Sequence, residues 1–375
     1  MVLAAVITGG CRKDEIVVPA EYETVPVTPS PDSEVRGFYL VNEGNMGSNK
    51  CTLDFMDLRS GIYARNFYAE RNPNVVKELG DVGNDIGIYG SKLYVVVNCS
   101  HKVEVLDAAS GVRLGQVDIP NCRYVRFREG RAYVSSYVGP VLIDANAPLG
   151  AVYEVDTASL SVTRLCTVGY QPEEMEFEGN YMYVANSGGY RRPNYDNTVS
   201  EIDMSSFSQV RQIPVGINLH RLKKDSFGKL WVTSRGNRED IHSQLFVMSR
   251  DKTTGIMEVT DTLPVACSNM AISGERLYFY ATEWSDLSLT NTITYGVIDT
   301  RTKQVVSDNF ITDGTERDIT MPYGIAVHPE TGDIYVTDAK NHVSSGTLYC
   351  FGRDGRRKWS VRTGDIPAHI AFLYR

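Results

Sequence analysis

The chain has 375 residues, and its apolar share of 42% is that of an ordinary globular protein; nothing after residue 11 is apolar for long enough to span a membrane as a helix. A formal net charge of −8 argues against a nucleic-acid partner, because a phosphate-binding surface needs a basic excess. No Gly-x-Ser-x-Gly elbow, P-loop or zinc-spaced Cys/His cluster occurs, so acyl transfer, phosphoryl transfer and structural zinc lack their usual signatures. No catalytic residue, metal or cofactor is assigned on this basis, and the chain reads as a non-enzyme.

Residues 1–11 form an apolar run ending in small residues and a cysteine, Thr8-Gly9-Gly10-Cys11. This reads as the end of an export signal and resembles a bacterial lipobox, with Cys11 as the lipidated residue. A buried first strand is the alternative, and Arg12-Lys13-Asp14-Glu15 directly behind it argues against that. Residues 12–35 carry Pro19, Pro26, Pro29 and Pro31 and read as an extended, flexible tether. The remainder, 36–375, is one folded unit.

That unit is built from a repeated phrase of an apolar residue, an aromatic and two or three mostly apolar or small residues. Its copies begin Phe38-Tyr39, Leu93-Tyr94, Ala132-Tyr133, Met182-Tyr183, Leu230-Trp231, Leu277-Tyr278 and Ile334-Tyr335. The aromatics recur roughly every 39–57 residues, which is a radial or solenoidal repeat. Before most copies lies a segment that begins polar and turns apolar, such as Asn84-Asp85-Ile86 or Glu173-Glu174-Met175. Gly- and Asn-rich turns such as Glu178-Gly179-Asn180 join the two. A third segment follows and often ends in Asp (Val103–Asp107, Val152–Asp156), and a weaker fourth closes the unit. Four short strands per repeat predict an all-β, seven-bladed β-propeller. The first copy lacks its polar-to-apolar segment and the C-terminus has one to spare, Ile366–Leu373. Pairing that tail with Phe38–Asn42 closes the ring and removes an edge.

In such a ring, the starts of first strands and the loops after second strands open on one face around the channel. Residues there that differ between blades are not required by the shared packing, so they are the binding candidates. From first-strand starts these are Arg123, Glu173, His220, Tyr323 and His369. From the loops they are Asn45, Asn98, Tyr137, Tyr190, Arg191, Arg192, Tyr195, Arg235, Trp284 and Lys340. The loop 187–196 exceeds what a hairpin needs and carries two Tyr and two Arg, residue types that anchor ligands by area, stacking and multiple donors. For His220 and His369, channel-lining structural hydrogen bonding is the preferred reading over ligand contact. Adjacent strand residues point to opposite faces, so only one of Glu173 and Glu174 is expected to face the channel. A lactonase-type metal site would need Glu43, Asn186 and Asp338 to converge from different blades. Cys99 and Cys122 fall on one face of adjacent blades, as a disulfide or as buried thiols.

Val41-Asn42-Glu43-Gly44-Asn45-Met46-Gly47-Ser48, Pro322–Pro329, Asp333–Ala339 and the lipobox together resemble the YncE-like surface-layer propeller lipoproteins of Bacteroidetes. Lys13-Asp14-Glu15 is similar to the export tag that follows the lipid cysteine in such proteins. This group includes the cobalamin-capturing BtuG proteins. The resemblance implies an outer-membrane lipoprotein facing the exterior, held by its lipid anchor. It further implies a small-molecule ligand, with a corrinoid first and an oligosaccharide second, delivered to a TonB-dependent transporter. A cell-envelope interaction propeller is the alternative.

Overall fold

The computed structural model describes residues 19–75, 79–237, 239–285 and 290–375; the segment read as an export signal, with Cys11, lies outside them. Among the described residues the strands form seven antiparallel sheets, six of four strands and one of five. Blade 2 shows the plan: Gly83–Tyr89, Lys92–Val97, Lys102–Asp107 and Arg113–Asp118 follow one another outward from the channel. The first strands of blades 3 to 7 are Cys122–Arg128, Pro172–Glu178, Leu219–Lys224, Asn269–Ser273 and Pro322–Val327. Blade 1 takes its innermost strand from the other end of the chain. Pro367–Tyr374 pairs with Val35–Asn42, placing Phe372 opposite Phe38, so the predicted seven-bladed closure holds.

The apolar phrase exists because second strands are covered on both faces. Alternation sends Tyr39 into a cluster with Leu93, Val95 and Leu106 of blade 2, and Phe38 into one with Tyr335, Leu348 and Trp359 of blade 7. The Phe38 and Tyr335 rings lie 5.0 Å apart. Trp231, Tyr94, Tyr183 and Tyr335 are buried in the same way between neighbouring blades. Rings of this size bury roughly 150–250 Å² each, or about 4–6 kcal/mol apiece before the entropy of ordering.

In six of the seven blades an Asp at or just past the end of the third strand shapes the outer hairpin. Asp57, Asp107, Asp156, Asp203, Asp251 and Asp299 each accept a backbone N–H two or three residues on. The residue four positions later has positive φ: Gly61, Gly111, Leu160, Phe207, Gly255 and Lys303. Glycine takes that conformation without strain, and the Asp bonds help hold it where a side chain must.

The segment expected as a tether is anchored over its latter part. Glu21–Thr24 adds a fifth strand to the outer edge of blade 1, against Ile62–Arg65. Val25 is buried beside it, its N–H bonded to Gly61 at 2.9 Å. Ser33 Oγ donates to Glu330 at 2.6 Å. All six cysteines from Cys51 to Cys350 are free thiols. Cys122 points its sulfur at the carbonyls of Val97 and Lys102 rather than at Cys99.

Candidate functional site

The first strands enter the channel through a register irregularity. In six of the seven blades the pairing of first and second strand slips near the mouth, for example between Pro172 and Met175 and between Leu219 and Leu222. A bulge sets two residues against one and re-aims their side chains. Glu173 and Glu174 consequently both reach channel partners and both are fully buried. The expectation that only one could face the channel is corrected: strict alternation fails where the ladder is bulged.

Glu173 organises an upper cluster drawn from blades 3, 4 and 5. Arg123 reaches it through Nε at 3.2 Å and Nη2 at 3.0 Å, Tyr137 donates its hydroxyl at 2.6 Å, and Arg235 donates at 3.2 Å. Burial pushes the Glu173 carboxyl up, but Arg123, Arg235 and Tyr137 more than offset this and hold it below the usual carboxylate range. The Arg123 guanidinium lies 4.8 Å from the Tyr137 ring centre, and Tyr190 meets Tyr137 edge-on at 5.9 Å.

A second layer lies further along the same strands. Glu174 accepts from Arg126 at 2.8 Å, Lys223 at 2.5 Å and the Leu222 N–H at 2.9 Å. Despite burial, these cations hold its carboxyl well below the usual range. Asp85 takes the Val125 N–H at 2.9 Å and Arg126 at 3.2 Å. Across the axis, Arg221 donates to the Tyr124 hydroxyl at 3.0 Å and lies 3.4 Å from His369 Nε2; Tyr124 also lies 3.0 Å from His220 Nε2. Burial, then neighbouring cations, push both histidines far below their usual pKa, so they are neutral. At the rim, Tyr323 donates to Glu43 at 2.8 Å. Burial pushes Glu43 up to about 7, against that hydrogen bond and against Arg123 and Arg221.

Of the residues expected at the mouth, Arg123, Tyr137, Glu173, Tyr190 and Arg235 come together around one carboxylate. His220, Tyr323 and His369 line the adjoining throat. The others behave differently. Asn98 is buried and spends its amide on Asn121 and the Cys122 carbonyl. The Asn45 carbonyl holds the Ser48 turn. Arg191 lies flat on Tyr170 at 3.5 Å and bonds the Asn194 carbonyl, so it braces its own loop. Arg192 and Lys340 are exposed and Tyr195 is half-buried. Trp284 sits on a strand opposite Asn291, but its side chain lies outside the described residues. Asn186 and Asp338 are occupied within their own blades, by Thr198 and Ser200 and by the Met321 and Lys340 N–H groups. They do not join Glu43, and among the described residues no three His, Cys, Asp or Glu gather as a metal site. Sequence reasoning missed Arg126 and Lys223, which lie two residues beyond Tyr124 and Arg221 on the same strand face and so return to the channel.

The family model for a domain of unknown function, DUF5074, matches residues 36–362. No curated protein is significantly similar to the chain. Three solved structures share the fold at low identity. The periplasmic gluconolactonase of Pseudomonas aeruginosa is 14% identical with a TM-score of 0.59, covering 90% of this chain and 99% of that one. A hypothetical selenium-binding protein from Sulfolobus tokodaii is 11% identical with a TM-score of 0.66, covering 91% and 94%. Hydrazine synthase of Kuenenia stuttgartiensis is 17% identical with a TM-score of 0.61, covering 77% and 89%.

Proposed function

We propose that this chain, which belongs to the DUF5074 family, is a ligand-binding propeller that captures a broad polar ligand at the channel mouth. A corrinoid is the first choice and an oligosaccharide the second. The observation that carries the reading is the Glu173 cluster: three blades place Arg123, Tyr137 and Arg235 around one buried carboxylate, at positions where the other blades carry different residues. Such a network fixes donors and rings in advance of binding, which lowers the ordering cost. Apolar tips stand on the rim around it, with Met46 68%, Ile143 70% and Val343 70% exposed on loops that follow second strands. A flat, amide-fringed macrocycle suits that combination of apolar rim and polar centre. In this reading Cys11 carries a lipid anchor at the outer membrane's outer face, and a TonB-dependent transporter receives the ligand.

Titration of the purified protein with cyanocobalamin tests the proposal. Saturable binding at micromolar concentration is expected, and Tyr190→Ala combined with Arg235→Ala, which removes two side chains of the cluster, should weaken it at least roughly tenfold, as for anchor residues. No binding at that concentration removes the corrinoid, and the same titration with oligosaccharides then decides the second choice. One observation favours an enzymatic alternative. Glu43, with a pKa near 7 in the mouth, is suited to act as a base, on a fold shared with a gluconolactonase. Turnover of a lactone or ester that is lost in Glu43→Gln would establish it.

A further inference from the structure

Arg221 is 6% exposed and spans the throat, yet it has no carboxylate within ion-pair distance among the described residues. The acids around it are committed elsewhere. Glu174 is engaged by Arg126, Lys223 and a backbone N–H. Asp85 holds Arg126 and the Val125 N–H. Glu173 holds Arg123 and Arg235. Glu43, at the rim, bonds Tyr323.

One corner of the guanidinium is used, since Nη1 faces the Tyr124 hydroxyl and His369. Among the described residues Nε is buried with no partner, and Nη2 makes no hydrogen bond either. Nε and Nη2 form the side-on edge with which arginine receives an oxyanion through two parallel bonds. The Glu174 charge reaches Arg221 without a direct contact, and a buried donor without an acceptor is unfavourable. Four neutral groups close the pocket: Tyr124, His220, His369 and Tyr323. None competes for the arginine as an ionic partner; Tyr323 gives its proton to Glu43 and His369 Nε2 faces the arginine as an acceptor, so His220 and Tyr124 are the groups left to donate to an oxyanion.

We infer that the throat is an anion site in which the free edge of Arg221 receives a carboxylate or phosphate group of the ligand, flanked by His220, His369 and Tyr124. This rests on the mouth being a binding site and is independent of the ligand's being a corrinoid. It adds that the ligand carries a negatively charged group and enters with that group first.

The test is a pair of titrations of the full-length protein, with sodium phosphate and with sodium acetate, each at constant ionic strength set by sodium chloride. The signals followed are the imidazole Cε1–H resonances in protein labelled at histidine. His220 and His369 should shift saturably with one anion or both, while His328, in the turn at the far end of blade 7, stays fixed. Saturation by acetate assigns a carboxylate and saturation by phosphate a phosphate. Arg221→Lys, which keeps the charge but loses the fork, should weaken that binding at least about tenfold. The inference is overturned if neither anion shifts His220 and His369 saturably up to tens of millimolar, or if Arg221→Lys binds as well as the wild type. The wild-type titration decides even if the variant does not fold. Failure of cyanocobalamin to bind leaves this result untouched, so the two readings fall separately.

Discussion

Replacing Glu173 by Gln is the most direct probe of the mouth. The substitution keeps the shape and an acceptor for Tyr137 but removes the charge that Arg123 and Arg235 share. At about 3 Å and an effective dielectric near 20, each gross attraction is roughly 5 kcal/mol. Desolvation cancels much of this, and breaking a buried pair from one side typically costs about 3–5 kcal/mol. Arg235 can turn to water, since its side chain is 33% exposed, whereas that of Arg123 at 12% cannot. The expected loss is therefore at the lower end, about 3 kcal/mol. At about 2 °C per kcal/mol for a domain of this size, the melting temperature at pH 7 falls by about 6 °C. The sign with pH follows from the direction of the shift. Glu173 sits below its ordinary value of 4.5 in the folded chain, so its contribution is complete above that value and is lost as pH falls through the folded pKa. Scanning calorimetry between pH 7 and pH 3 should show the gap between wild type and variant narrowing below about pH 4.5. A melting temperature within 1 °C of wild type at pH 7, or a gap that does not narrow in acid, would refute the reasoning. Arg123→Met added to the variant should recover part of the loss, because an apolar side chain then fills the place of an unpaired cation.

The remaining predictions concern other parts of the ring. Glu43 lies above its ordinary value at about 7, so its own contribution is complete below about pH 4.5 and is lost as pH rises through 7; Glu43→Gln should melt higher than wild type at pH 8 and equally at pH 4, and a pH-independent difference would contradict this. Of the six cysteines Cys51 to Cys350, only Cys99 is more than marginally exposed, and burial pushes its thiol up to about 11. A thiol reagent at pH 8 should therefore modify at most one of the six, slowly, in the native protein and all six after unfolding, whereas a total of four on unfolding would reveal a disulfide. Deleting residues 366–375 removes the innermost strand of blade 1 and leaves Val35–Asn42 as an edge at the channel; loss of a cooperative thermal transition is expected, and a sharp melt in the truncated chain would show that closure is not required.

The repeat was legible because second strands obey one simple rule: they are covered on both faces, so they carry an aromatic and Val-rich run wherever they occur. The closing strand was legible for the same reason, as a leftover first strand with no partner of its own. What the rule does not cover was misread. Glu173 and Glu174 violate period-two alternation because a bulge needs no particular side chain, and nothing in Pro172–Met175 announces one. Arg191 looks like a ligand anchor in the sequence, but Tyr170 lies just before the first strand of the same blade and captures it. The Glu21–Thr24 strand was hidden among prolines: an edge strand needs only backbone groups, and its own residues are exposed.

The bulges also explain why the charged residues of the channel can be so many. With strict alternation each first strand would offer the channel every second residue. A slip near the mouth adds one more, and two layers of charge become possible on one short strand. Blade 4 uses both, Glu173 for the upper layer and Glu174 for the lower, and each is bracketed by cations from blades 3 and 5. Blade 5 uses the same device with His220 and Arg221, but among the described residues the second has no acid within ion-pair distance. A network built only for rigidity would place a carboxylate beside Arg221, as it does beside Arg123, Arg126 and Lys223. Four paired cations, Arg123 and Arg235 in the upper layer and Arg126 and Lys223 in the lower, and one with no ion pair among the described residues mark Arg221 as the position whose partner comes from outside the chain.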